Sequence, residues 1–151
     1  MYLRPLTSAD IPDVREIMYY DGRAATSSEE ALAMLARIHD DVARGESLHW
    51  GVFLQETDVC VGTCGFYRGF AGGAGEIGYV MRERYRGAGI MTTAVTLVIE
   101  YGFGALGLER IVADVAPDNV PSIRLLERLG FRLEGDKEGY RRYGLPSAPA
   151  S

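Results

Sequence analysis

In the middle of this chain the hydrophobic period changes abruptly, and that change decides how the middle can fold. Residues 75–82, GEIGYVMR, place Ile77, Tyr79 and Met81 two apart, as a strand does. From Ile90 to Ala105, in contrast, Met91, Ala94, Val95, Val98, Tyr101 and Ala105 recur at helical spacing, with Gly107 able to end the element. Only a short linker containing Arg84-Tyr85-Arg86-Gly87-Ala88-Gly89 separates the two. The chain must therefore pass from strand to helix through a tight glycine-bearing loop.

Such a junction is chemically useful. Glycines let backbone approach an anion closely, and the first turn of the helix offers unpaired N–H groups and a partial positive charge. Arg82, Arg84 and Arg86 concentrate positive charge there, which suits a pyrophosphate-bearing ligand; a glycine-rich connector with solvated arginines is the alternative. Two familiar phosphate loops fit worse. A P-loop needs Lys and Ser/Thr after its last glycine, where this chain has Ile90-Met91. A dinucleotide fingerprint needs a third glycine where Thr92 stands, and a parallel βαβ context.

The flanking segments predict antiparallel hairpins. Residues 48–55 alternate Leu48, Trp50, Val52 and Leu54, residues 59–67 surround two cysteines, and the connectors 56–58 and 69–75 are short. Upstream, a short strand precedes a helix capped by Thr7 or Ser8, with Ile11, Val14, Ile17 and Met18 inward. A second helix is expected over 28–44, with Ser27 and Glu30 at capping-box spacing and Leu32, Leu35 and Val42 inward. Downstream come a strand at 110–116, turn chemistry at Pro117-Asp118-Asn119, a helix over 120–129 with Ile123, Leu126 and Leu129 inward, and a strand beginning at Phe131. The fold class is thus α/β, a mixed α+β sheet. One domain over 1–145 is expected, with 146–151, PSAPAS, as a flexible tail.

Bulk properties exclude other roles. With 151 residues, 47% hydrophobic content and a net charge of −5, one core without a basic arm is expected, which disfavours nucleic-acid binding. No stretch reaches a membrane span, and Met1 to Pro5 lack a signal-peptide pattern, so a cytoplasmic protein is expected. Cys60 and Cys64 lie four residues apart in a strand, roughly 13 Å, too far for a disulfide, and read as buried thiols. With only His39 and His49 besides, no metal site is expected, and His39 reads as a satisfied histidine near an apolar stripe.

Arg84, Gly87 and Gly89 match Gln/Arg-x-x-Gly-x-Gly/Ala between a strand and a helix, and Asn119-x-x-Ser122-x-x-Leu125-x-Glu127-x-x-Gly130-Phe131 follows in order. On these motifs the chain resembles the GNAT superfamily of N-acetyltransferases, from its first strand to about Phe131. Glu76-Ile77-Gly78-Tyr79 and Ser122 resemble its RimJ/RimL branch of ribosomal-protein N-terminal acetyltransferases.

The resemblance implies an acyl-CoA N-acyltransferase fold: a largely antiparallel central sheet, a splayed parallel strand pair and about four helices. Acetyl-CoA would be the cosubstrate, with pantetheine in the gap between the splayed strands. Val80, Met81 and Arg82 would bind its amides, and backbone N–H groups of Arg86, Gly87, Ala88, Gly89, Ile90, Met91 and Thr92 its pyrophosphate, with Arg84 and Asn119 nearby. The acceptor would be a primary amine, on a protein N-terminus or a small molecule. Ser122 would protonate the departing thiolate, because the helix position that often holds Tyr is Leu126; its other reading is a polar first-turn residue, and that of Asn119 a simple N-cap. Glu76 would take the amine proton through water or else orient the substrate. Relatives usually close with a long hairpin, whereas only RLEGDKEGYRRYGL follows the Gly-Phe, so a sheet edge is left that a second subunit can cover. A non-catalytic acyl-CoA sensor of the same fold is the alternative.

Overall fold

The computed structural model describes residues 1–148. In chain order it contains β1 (Tyr2–Arg4), α1 (Ile11–Val14), β2 (Tyr19–Tyr20), β3 (Arg23–Ala24), α2 (Ser28–Ala43), β4 (Leu48–Phe53), β5 (Cys60–Tyr67), β6 (Ala74–Met81), α3 (Ile90–Gly104), β7 (Arg110–Val115), α4 (Val120–Arg128), β8 (Arg132–Lys137) and β9 (Tyr140–Pro146). Seven strands form one sheet in the order β1-β4-β5-β6-β7-β9-β8. Every neighbouring pair is antiparallel except β6 and β7. This is the expected mixed sheet with four helices.

Two apolar clusters lie on the sheet's opposite faces. One gathers Val52, Cys64, Phe66, Ile77 and Met81 from the strands with Val95 and Val98 of α3 and Leu126 of α4. The helix comes close because it carries Gly102, where an added Cβ would stand 2.7 Å from the Phe66 ring. The other joins Phe53 and Cys60 to Ile11, Val14, Ile17 and Met18 and to Ala31, Met34, Leu35 and Ile38 of α2. Each fully buried aliphatic side chain contributes about 1.5–3 kcal/mol to this packing.

Several boundaries differ from the sequence reading for physical reasons. The first helical segment is broken: 3-10 turns over Ser8–Asp10 and Arg15–Ile17 flank a four-residue α1 with Pro12 in its first turn, although its four expected apolar residues are all buried. Asp21 and Gly22, both at positive φ, then turn the short hairpin β2–β3. In α2, Ser27 accepts from the Glu30 N–H as anticipated, but the buried stripe is Ala31, Met34, Leu35 and Ile38; Leu32 is 42% exposed. His39 is satisfied, its Nε2 lying 3.0 Å from the Leu6 carbonyl oxygen. Both cysteines are free and buried.

The C-terminal segment closes the sheet despite its brevity. Glu138 and Gly139, both at positive φ, turn β8 into β9, and β9 inserts between β8 and β7. It covers β7 along its whole length, so the exposed edge is β8. Pro146 belongs to β9 and the Ser147 N–H donates to the Glu109 carbonyl, which carries order past residue 145; residues 149–151 of the expected tail lie outside the described residues.

Candidate active site: a splayed strand pair beside a glycine-lined helix N-terminus

The parallel ladder between β6 and β7 has three pairs, Ala74 with Arg110, Gly75 with Ile111 and Glu76 with Val112. Beyond Glu76 the strands part, although β6 continues to Met81 and β7 to Val115. Each is held from outside: β6 stays paired with β5 as far as Met81 and Gly62, and β7 with β9 as far as Val115 and Arg141. A gap therefore opens at the carboxyl ends of two parallel strands, the general ligand position of such sheets.

Hydrogen-bond alternation decides which backbone groups line it. The Arg82 N–H donates to the Val61 carbonyl at 2.8 Å. Antiparallel pairing then turns the backbone groups of Val80 toward β5 and those of Tyr79 and Met81 toward the gap. The Met81 carbonyl accepts from Arg86 Nε at 3.2 Å, which agrees with that direction. Of the expected stretch Val80, Met81 and Arg82, only Met81 offers its backbone to the gap, and Tyr79 is the second residue to do so. The Arg82 side chain is committed elsewhere, donating to the Cys60 carbonyl at 2.8 Å and to Glu16 at 3.2 Å. Arg84 is exposed and stacks over the Tyr85 ring at 5.6 Å.

The junction itself is open. Gly87 and Gly89 have φ of +84° and +75°, and a Cβ at either would meet nothing within 4 Å. Gly89 is the N-cap of α3, no side chain caps the helix, and the Thr93 N–H is the one that reaches back to the Gly89 carbonyl, at 3.3 Å. The N–H groups of Ile90, Met91 and Thr92 thus have no partner within the helix. Open space, unpartnered donors and the positive end of a 15-residue helix fit a pyrophosphate. Met91 presents only its backbone to this junction, because its side chain is buried near Gly62. Ala88 is exposed between the two glycines.

On the α3 and α4 side of the gap, Asn119 caps α4 by accepting the Ser122 N–H at 3.3 Å. This places Ser122 in the first turn, and its Oγ lies 2.6 Å from the Tyr79 hydroxyl, reaching across from β6. Burial pushes the Tyr79 phenol up to about 12. Leu126 is fully buried in the core.

Glu76 projects to the opposite face, at the vertex where the ladder ends. Its Oε2 accepts from Arg68 at 2.6 Å, and its Oε1 lies 3.6 Å from Arg142. Arg142 also grips Asp114 with two bonds of 2.8 and 2.9 Å, and its guanidinium holds the Asp114 carboxyl below the usual range. Ser122 and Glu76 therefore flank the gap from its two faces.

Sequence reasoning missed Tyr79, Arg68, Asp114 and Arg142. Tyr79 alternates with Ile77 and Met81 and reads as core, while Arg142 reaches the site only because β9 lies beside β7, a long-range pairing that local pattern does not announce.

Comparison with known proteins agrees with this geometry. The family model described as "Acetyltransferase (GNAT) domain" matches residues 1–132. The uncharacterized N-acetyltransferase p20 of Bacillus licheniformis is 38% identical over 118 residues, which are 78% of this chain and 66% of that protein. The [ribosomal protein uS5]-alanine N-acetyltransferase of Escherichia coli is 31% identical over 110 residues, 72% of this chain and 57% of that protein. The chain thus spans about two thirds or less of the length of these relatives. Among solved structures, the ribosomal-protein-S5-alanine acetyltransferase of Vibrio fischeri superposes with a TM-score of 0.78 at 23% identity, covering 95% of this chain and 91% of that one. RimJ of Mycobacterium smegmatis, in complex with CoA-disulfide, gives 0.78 at 22% identity, over 96% and 81%. With most of its length matched by the family model and its strands splayed beside a glycine-lined helix start, this chain belongs to the GNAT acetyltransferase family.

Proposed function

We propose that this chain is an acetyl-CoA-dependent N-acetyltransferase of the cytosol that moves an acetyl group onto a primary amine by direct attack in a ternary complex. The observation that carries the reading is the three-pair ladder that opens beside an uncapped helix N-terminus. Acetyl-CoA supplies a thioester whose acetyl carbon is electrophilic. The residues to hold it are Tyr79 and Met81 through their backbone edge, and the N–H groups of 87–92; the Arg86 N–H donates to the Glu83 carbonyl at 3.2 Å, so Arg86 serves as the nearest guanidinium.

Glu76 and Ser122 serve the proton transfers. Glu76, at the vertex on the α1 and α2 face, orients the amine and takes its proton through water. Its pairing with Arg68 and Arg142 keeps the carboxylate aimed at that face. Ser122 gives its hydroxyl proton to the departing sulfur from the other face. The acceptor is an amine on a protein N-terminus or a small molecule; relatives include an enzyme named for a ribosomal-protein alanine and one named for spermidine.

The test is CoA release from acetyl-CoA, measured with a thiol reagent, in the presence of an alanine-initiated peptide, a serine-initiated peptide or spermidine, with acetylated product identified by mass. Turnover on one amine well above the rate with water supports the assignment. Tight CoA binding without turnover on any of the three removes it in favour of a sensor.

A further inference from the structure

The Tyr79 and Ser122 hydroxyls are 43 residues apart in sequence and 2.6 Å apart in space. That distance is at the short end for O–H···O, and one of the two oxygens must be the donor. The phenol is the more acidic hydroxyl, so the stronger arrangement has Tyr79 donating and Ser122 accepting. Tyr79 is partly buried between Ile77 and Met81, and Ser122 is its one side-chain hydrogen-bond partner among the described residues. Because burial raises it to about 12, the phenol keeps its proton near neutrality and remains a donor.

Ser122 also has an alternative that it does not take. A serine in the first turn of a helix readily bonds backbone one turn away, which would spend its proton locally. Here its backbone N–H is held by Asn119 and its Oγ by Tyr79. We infer that Tyr79 is a positioning residue for proton delivery: its phenol donates to Ser122 Oγ, and the serine's own proton is thereby aimed into the gap between β6 and β7.

This inference rests on the acetyl-transfer reading and on Ser122 as the acid. In the step itself the amine nitrogen bonds to the acetyl carbon, the carbon–sulfur bond breaks, and sulfur leaves with the electron pair and takes the Ser122 proton. Negative charge grows on Oγ, the atom that receives the phenol's hydrogen bond. The phenol proton restores the serine, water restores the phenol, and the amine's surplus proton passes through water to Glu76 and from there to solvent.

Tyr79→Phe keeps the ring and removes only the donor. A hydrogen bond to a charge-bearing oxygen is worth about 1.5–3 kcal/mol, so kcat should fall about 10- to 150-fold. The acetyl-CoA dissociation constant and the melting temperature should stay near the parent's. The double variant Tyr79→Phe/Ser122→Ala should be no slower than Ser122→Ala alone, because both changes cut one path. The solvent deuterium isotope effect on kcat should shrink in Tyr79→Phe. Rates are read as CoA release with an alanine-initiated peptide, with spermidine and with water alone, so that hydrolysis gives a signal even if neither amine is accepted. A kcat for Tyr79→Phe within about threefold of the parent, or losses that multiply in the double variant, overturns the inference while leaving Ser122 as the acid. If instead Ser122→Ala is harmless, the acid assignment itself fails.

Discussion

Gly89→Glu tests the cradle most directly, and its size can be worked from the geometry. Gly89 sits at φ +75° as the N-cap of α3, with open space where a Cβ would go. A residue with a side chain in that conformation loses roughly 1–2 kcal/mol of stability, and a carboxylate at a helix N-terminus returns about 0.3–1 kcal/mol. The folded state should therefore survive with a melting temperature lower by a few degrees. Ligand binding suffers more. A carboxylate about 5 Å from one phosphate charge costs about 1–3 kcal/mol at effective dielectric constants between 80 and 20, and the side chain also occupies the phosphates' space. Together these should weaken CoA at least about 30-fold, measured by titration calorimetry at low salt. Gly107→Glu is the control: Gly107 also has positive φ, +63°, and open space, but lies beyond the far end of α3. It should lower stability and leave CoA affinity alone. If folded Gly89→Glu protein binds CoA within threefold of the parent, the pyrophosphate does not lie on this loop.

Glu76→Gln should lower kcat and flatten the acid limb of the pH–rate profile if the carboxylate takes the amine's proton, and should raise KM with kcat kept if it only orients the acceptor; no change in either parameter removes it from the site. Gly102→Val should destabilise the fold by about 1–3 kcal/mol in a denaturant titration, because the added carbons meet the Phe66 ring and the ends of Ile111 and Leu108. His49, packed against the edge of the Tyr67 ring, is drawn down to about 4 by burial, so its folded-state value lies below that of the unfolded chain. Its neutral form supports the fold above pH 6.5, and that support is lost as pH falls toward 4, by at most about 3 kcal/mol. The difference in unfolding free energy between parent and His49→Gln should vary across that window and be constant above it.

The strand-loop-helix junction was readable because each part has its own local signal: period two, positive-φ glycines, then period 3.6. Ser27 as a cap follows an equally local rule. Gly51, Gly62 and Gly65 do not: a Cβ at each would collide with Leu6, the Val80 carbonyl and the Leu48 carbonyl, neighbours that only the folded sheet supplies. What local pattern could not supply was pairing at a distance. The insertion of β9 between β7 and β8, and with it the Arg142 grip on Asp114 and its approach to Glu76, depends on pairing between segments far apart in sequence. The α2 stripe was read correctly at Leu35 and Val42, which join the cluster against α1, but Leu32 is exposed and Ala31, Met34 and Ile38 complete the buried face. Tyr79 was hidden by its own regularity, since an aromatic residue between two core residues of a strand looks like packing until α4 is laid beside it.

The short ladder between β6 and β7 also sets the mechanics of the molecule. It divides the sheet into a plate of four strands and a plate of three, joined along three residue pairs and backed by α3. Bending at such a joint disturbs few hydrogen bonds, which favours slow breathing of one plate against the other. A molecule lying along the Tyr79 and Met81 edge acts as an eighth strand that splints the joint. In hydrogen-exchange terms, the amides of 77–81 and 113–115 should slow together when the splint is in place, while those of β1 and β4, at the rim of the larger plate, keep their rates.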